Sequence, residues 1–160
     1  MTTSKNIQSN NISVVLVAPE HPNNIGSVAR AMNNMGFFDL RLVNPCPYLT
    51  GGEDGAKTLA VHSQFILENA KIYSTLKEAL IDKQIIIGTT TRPRGHHKEL
   101  SSCWQLDSFL SNLSDATQIA FVFGRETSGL TNLEIDLCNH LISIPTFGEN
   151  SSLNLSQAVV

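Results

Sequence analysis

Apolar residues recur along this chain in two rhythms. Short continuous runs at 13–18, 40–43, 85–87, 119–123 and 141–144 are rich in valine, isoleucine and leucine. Runs of that length and β-branched character predict strands buried on both faces. A further short strand is predicted at 71–73. Between the runs, apolar positions take up helical spacing. A helix is predicted over 24–35, with Val28, Ala31, Met32 and Met35 on one apolar face. Ser27, Arg30 and Asn34 fall on its polar face, and Gly36 supplies the stop. Other helices are predicted at 56–61, 75–82, 101–113, 131–139 and from about 152 onward. Two of these open with a threonine followed three residues later by glutamate (Thr75 and Glu78, Thr131 and Glu134), the spacing of a capping box.

Strands alternating with helices predict an α/β domain, a parallel sheet with helices on both faces. Ligands in such sheets bind at the carboxyl ends of the strands. Four loops fall there: 19–27, 88–98, 124–131 and 145–154.

Composition narrows the class. A chain of 160 residues suits one domain, and 41% hydrophobic against 16% charged residues is a globular balance. The net charge of −3 excludes a generally basic nucleic-acid coat, though not a local patch. The three cysteines, Cys46, Cys103 and Cys138, are odd in number and far apart. That argues against a disulfide scaffold or zinc knuckle and for a reducing cytoplasm. Residues 1–11 are polar, read as a flexible start and not a signal peptide. No run approaches the roughly 18 apolar residues of a membrane span, and no metal-ligand spacing occurs, so no metal is expected.

Each loop carries candidate chemistry beside a plainer reading. In the first, Asn24 can cap the helix and Gly26 lets something approach the backbone closely. Arg30 projects from the early turns of that helix; by pattern alone it reads as a solvated surface arginine. The second holds Thr89, Thr90 and Thr91, then Arg92, Arg94, His96, His97 and Lys98 within seven residues. That loop can track phosphates or be merely solvated. In the third, Gly124 and Gly129 frame a polar turn containing Arg125 and Glu126, suited to a backbone lying against a ligand or to an ordinary connection. The fourth places Ser151, Ser152 and Asn154 at a helix start, more capping groups than one helix needs.

Taken together, the loops resemble a known family. Asn24-Ile25-Gly26-Ser27-Val28-Ala29-Arg30, then Phe123-Gly124-Arg125-Glu126 with Gly129-Leu130, then Ser151-Ser152-Leu153-Asn154-Leu155-Ser156-Gln157-Ala158 are similar to the three signature motifs of the SPOUT methyltransferases. Within these the chain most resembles the TrmJ branch, tRNA 2′-O-ribose methyltransferases acting at pyrimidine 32 of the anticodon loop. Val43-Asn44-Pro45 and Thr131-Asn132 support that branch. The resemblance implies one catalytic domain over 1–160 with a C-terminal trefoil knot. It also implies S-adenosylmethionine as cofactor, tRNA as substrate and a homodimer with sites near the interface. By motif, Thr89, Thr90, Thr91, Gly124, Glu126, Ile144, Ser151, Ser152, Leu153 and Asn154 would bind the cofactor. Arg30 would be catalytic, and Asn24, Ser27, Arg92, Arg94, Lys98 and Arg125 would meet the RNA. Members of the branch continue beyond the position of Val160, so the resemblance implies a final helix cut short. Val61-His62-Ser63 stands where smaller residues are expected in relatives.

Three other functions compete with this one. A sister branch would run the same chemistry on another tRNA or rRNA nucleotide. An RNA-binding module would have lost catalysis, which the retained Arg30 and cofactor positions argue against. A nucleotide-binding regulator has only the stretch from Gly51 to Thr58 in its favour, one residue short of a phosphate-binding loop because Ala56 replaces its second glycine.

Overall fold

The structure, a computed structural model, describes residues 8–49, 55–91, 100–148 and 152–160. After a short 3-10 turn come β1 (Ile12–Val17), α1 (Pro22–Met35), β2 (Asp39–Val43), α2 (Ala56–Leu59), α3 (Gln64–Glu68), β3 (Lys71–Tyr73) and α4 (Leu76–Ala79). β4 (Ile85–Thr89), β5 (Leu100–Ser102), a 3-10 turn (Cys103–Gln105), α5 (Leu106–Leu110), β6 (Ile119–Phe123), α6 (Asn132–Leu137), β7 (His140–Ser143) and α7 (Leu155–Val159) complete the chain. None of the described helices is long and apolar enough to cross a membrane.

Among the described residues, seven strands join one sheet in the order β3-β2-β1-β6-β4-β7-β5, and every pairing between them is parallel. β1 and β6 lie at its centre, which is why they read as unbroken apolar runs. All six β1 residues are buried. Successive side chains take opposite faces. Val14 and Leu16 pack with α1, α2, α3 and Leu155 of α7. Val15 and Val17 pack with residues of α4 and α6 on the other face. The predicted two-sided α/β architecture is therefore the observed one.

A charged group is buried in this frame. Arg41 on β2, 4% exposed, donates to Asp39 (3.0 Å), to both carboxylate oxygens of Asp82 (2.5 and 2.8 Å) and to the Ala79 carbonyl (2.7 Å). Asp39 also accepts from Ser13 and Lys71.

Several predicted boundaries move, each for a local reason. α1 starts at Pro22, two residues early, because proline suits the first helical position where no N–H is needed. Asn24 is consequently the third helical residue and not the cap; His21 is the cap, without a side-chain bond. Gly36 ends the helix as expected, at φ 77°. Met35, assigned to the apolar face, is 51% exposed at the last turn.

The predicted 101–113 helix is mostly something else. Leu100–Ser102 pairs with β7 as an edge strand, and Ser102 then caps a 3-10 turn through a full capping box with Gln105. Only Leu106–Leu110 is α-helical. Serines favour such caps over helix interiors. α3 was not anticipated. α7 begins at Leu155, later than predicted, with Asn154 as its cap.

Candidate functional site

β4 lies between β6 and β7, so the loops leaving these strands meet at the carboxyl edge. They enclose a cavity of about 470 Å³. Thr89, Thr90 and Thr91 form one wall, Gly124 to Leu130 a second, and Ile144, Ser152 and Leu153 a third. Phe123, Leu155 and Ala158 add apolar surface. Three of the four loops singled out by sequence thus come together. Ile144 is free to line the cavity because β7 ends at Ser143, one residue sooner than predicted.

The second wall is a turn folded tightly on itself. The Arg125 amide donates to the Gly129 carbonyl at 3.3 Å and the Gly129 amide returns a bond to Arg125 at 2.9 Å. A Cβ on Gly124 would stand 2.2 Å from the Gly129 carbonyl carbon, and Gly129 itself has φ 70°. Both glycines are therefore required by the turn's own geometry.

Arg125 is turned toward Glu134. Its guanidinium makes a two-pronged pair with that carboxylate at 3.0 and 3.1 Å, a strong geometry for recognising a carboxylate. Glu134 also accepts from the Thr131 amide at 2.7 Å, completing the α6 capping box. The pair fixes the turn to α6.

Glu126 joins this turn to the loop after β1. Its carboxylate accepts from the Glu20 amide (2.9 Å), the His21 amide (3.4 Å) and Asn24 Nδ2 (2.8 Å). Partial burial pushes its pKa up, but the bonds from Asn24 and the backbone outweigh this and hold it below the ordinary glutamate value. A carboxylate at the start of α1 is further favoured by the helix dipole. Asn24 Oδ1 in turn accepts from Asn154 Nδ2 at 3.1 Å. Asn24 and Asn154 thus tie the first and fourth loops, and Asn154 is not among the cavity-lining residues.

Arg30 stands apart. It is exposed, the ninth residue of α1, and not a cavity-lining residue. With α1 starting at Pro22, it lies about 12 Å along the axis from the first helical residue at 1.5 Å per residue. The sequence reading had put it in the early turns. Ser27 is half-buried on the same helix. Gly26 serves packing: its Cβ would stand 2.1 Å from the Ala56 carbonyl oxygen, so what approaches it closely is α2. Ser151, Arg92, Arg94 and Lys98 lie outside the described residues. So does much of the near-miss phosphate loop, whose Ala56 opens α2 against α1.

Two groups at this edge escaped the sequence reading. The Glu20 carboxylate accepts from the Thr127 amide (3.1 Å) and hydroxyl (2.9 Å). Leu155 and Ala158 line the cavity from one face of α7, which their i, i+3 spacing could have signalled.

A parallel α/β sheet with a mixed polar and apolar cavity at the carboxyl ends of β4, β6 and β7 defines a small-molecule-binding domain of the doubly covered kind. The chain belongs to the SpoU rRNA Methylase family, whose model matches residues 11–160. It is 40% identical over 150 residues to the "Uncharacterized tRNA/rRNA methyltransferase LasT" of Escherichia coli, covering 93% of this chain and 64% of that protein. It is 41% identical over 150 residues to the tRNA (cytidine-2′-O-)-methyltransferase TrmJ of Methanocaldococcus jannaschii, covering 92% and 64%. The chain therefore spans a little under two thirds of these relatives. Among solved structures, a "probable methylase family protein" of Haemophilus influenzae matches with TM-score 0.84 at 36% identity, covering 95% of this chain and 63% of that one. The SpoU methyltransferase AviRb of Streptomyces viridochromogenes, solved with AdoMet, shares the fold at TM-score 0.63 and 22% identity, covering 92% and 55%.

Proposed function

We propose that this chain forms the catalytic domain of an S-adenosylmethionine-dependent methyltransferase that modifies a ribose 2′-hydroxyl in tRNA, at pyrimidine 32 of the anticodon loop. The observation that carries the reading is the cavity built from three of the candidate loops, two of which bear signature motifs. Its volume of about 470 Å³ suits a nucleoside-sized ligand. Threonine and serine hydroxyls, backbone amides and the apolar side chains of Ile144, Leu153 and Leu155 match a ligand that is part sugar, part base and part aliphatic.

Thr89, Thr90, Thr91, Gly124, Ile144, Ser152 and Leu153 would hold the cofactor, with Ser151 added by motif. Glu126 lines the cavity and also fixes the loops, while Asn154, outside the lining, acts by fixing them. The cofactor supplies an electrophilic methyl group on a sulfonium. Arg30, outside the cavity lining, would meet the RNA, orienting the ribose oxygen or an adjacent phosphate. Its guanidinium would stabilise negative charge developing on that oxygen. Asn24, Ser27, Arg92, Arg94 and Lys98 would add RNA contacts. For Arg125 that role competes with its pairing to Glu134.

The reading also includes a homodimer, a trefoil knot at the C-terminal end and a cytoplasmic setting. Supporting the knot is the chain's return after β7, which seats α7 against α1. Three cysteines outside any disulfide suit a reducing compartment.

The test is nucleoside mass spectrometry of unmodified tRNA incubated with the full protein and S-adenosylmethionine. A 2′-O-methylated pyrimidine at position 32 is expected. Methylation at another tRNA or rRNA nucleotide would replace the proposed site with the second reading, which the "tRNA/rRNA" name of the Escherichia coli relative favours. No methyl transfer to either RNA would overturn the activity.

A further inference from the structure

We propose that Trp104 and Phe147 form a stacking ledge for unpaired bases of single-stranded RNA beside the cavity, an inference that rests on the RNA-modifying reading above. β5 and β7 are parallel neighbours whose last register pair is Ser102 with Ser143. Both chains leave the sheet there, at the carboxyl edge. Trp104 follows two residues after Ser102, and Phe147 four residues after Ser143. Trp104 is 75% exposed and Phe147 94%.

Single exposed apolar side chains are ordinary. Two large aromatics leaving adjacent strands at the edge that holds the cavity are not, and the Trp104 backbone is tied to that edge. Ser102 Oγ accepts from the Trp104 amide at 3.5 Å, and Gln105 returns a bond by accepting from the Ser102 amide at 3.2 Å. This capping box presents the indole from a defined 3-10 turn. On the other strand, Ile144 lines the cavity three residues before Phe147.

The chemistry of the substrate matches. A ribose hydroxyl can reach the cavity only if its nucleotide swings out of the RNA stack, leaving its own base or a neighbouring one unstacked. Unpaired RNA bases are recognised by stacking on aromatic side chains. The chain carries a net charge of −3, so general attraction to a polyanion is weak and stacking has more to supply.

Trp104 is the chain's one tryptophan, which makes the test direct. An anticodon stem-loop RNA is titrated into the 160-residue chain while tryptophan emission is followed. Quenching that saturates with RNA binding is expected. Trp104→Ala and Phe147→Ala should each raise the RNA Kd and KM between about 5-fold and 100-fold. Trp104→Phe should recover most of the loss. The kcat at saturating RNA and the affinity for S-adenosylhomocysteine should hold. Parent emission that RNA leaves unchanged, with an unchanged RNA KM in Trp104→Ala and methylation intact, would overturn the ledge and leave the enzymatic reading standing. Conversion of a dimer to a monomer by Trp104→Ala, with RNA affinity retained, would overturn it in favour of an interface between two copies. Failure of the folded protein to bind or methylate any RNA would overturn both.

Discussion

Glu20 and Glu126 hold each other's loops. The Glu20 amide donates to the Glu126 carboxylate at 2.9 Å, while the Glu20 carboxylate takes the amide and hydroxyl of Thr127 at 3.1 and 2.9 Å. The bonds run both ways across more than a hundred residues of sequence. They join the start of α1 to the turn that walls the cavity. Thr127 lines that cavity, and Glu20 does not. Glu20→Ala therefore removes support without removing a lining group. At about 1 kcal/mol per net hydrogen bond, discounted because Glu20 is exposed, S-adenosylhomocysteine affinity should fall about 5-fold by calorimetry. Unchanged affinity would mean that the Arg125–Gly129 turn holds its shape unaided.

The same clasp has a pH dependence of definite sign. Burial raises the Glu126 pKa, but the bonds from Asn24, Glu20 and His21 bring it below the ordinary value of 4.5. A carboxylate lowered on folding stabilises the fold fully above its unfolded pKa, and the contribution is lost as pH falls through the folded one. Asp82 behaves alike: bonded to Arg41, its pKa drops from 3.8 to about 2. Urea denaturation should therefore show stability falling between about pH 4.5 and 2. Glu126→Gln and Asp82→Asn should each be less stable at pH 7 and flatten part of that fall. Profiles parallel to the parent's would remove these two groups as its source.

Gly26→Ala tests what the glycine in the first motif is for. Alanine improves helix propensity by about 1 kcal/mol over glycine. Against that, the new Cβ would stand 2.1 Å from one backbone atom of Ala56 and 2.8 Å from the next. Overpacking costs about 1–3 kcal/mol, and backbone against backbone belongs at the upper end. The net loss should be about 2 kcal/mol, a Tm lower by about 4–8 °C for a domain of this size. A higher Tm would show that α2 moves aside freely.

The sheet was readable because its central strands are buried on both faces and leave unbroken apolar runs. β5 left no such mark. It is three residues with two serines, at the sheet edge, and it became a strand through pairing with β7. The cavity loops could be named in advance because strands end in recognisable glycines and prolines. The bonds between those loops could not. Glu126 reaches Asn24 across 102 residues, and Glu20 reaches Thr127 across 107. Asn24 read as a helix cap because asparagine often is one; a proline two residues earlier moved the helix start and turned Asn24 into a bridge between Glu126 and Asn154. Arg125 read as a substrate contact because its partner Glu134 looked like capping chemistry alone. It serves both purposes.

Arg30 separates binding from chemistry. It is exposed on the third turn of α1 and outside the cavity lining, and no described residue forms an ion pair or hydrogen bond with it. Arg30→Ala should therefore leave cofactor binding alone. S-adenosylhomocysteine at about 100 times its Kd adds about 2.7 kcal/mol to stability, which raises Tm by several degrees. That increment should be the same in parent and variant, while ATP gives neither protein a comparable rise. Methyl transfer to tRNA should fall at least 100-fold in kcat/KM if the guanidinium stabilises charge that develops in the transition state. Arg30→Lys keeps the charge and loses the planar donor fork, so it should recover only part of the rate. Equal losses in cofactor affinity and rate would assign Arg30 a structural role. Full activity in Arg30→Ala would remove it from the reaction.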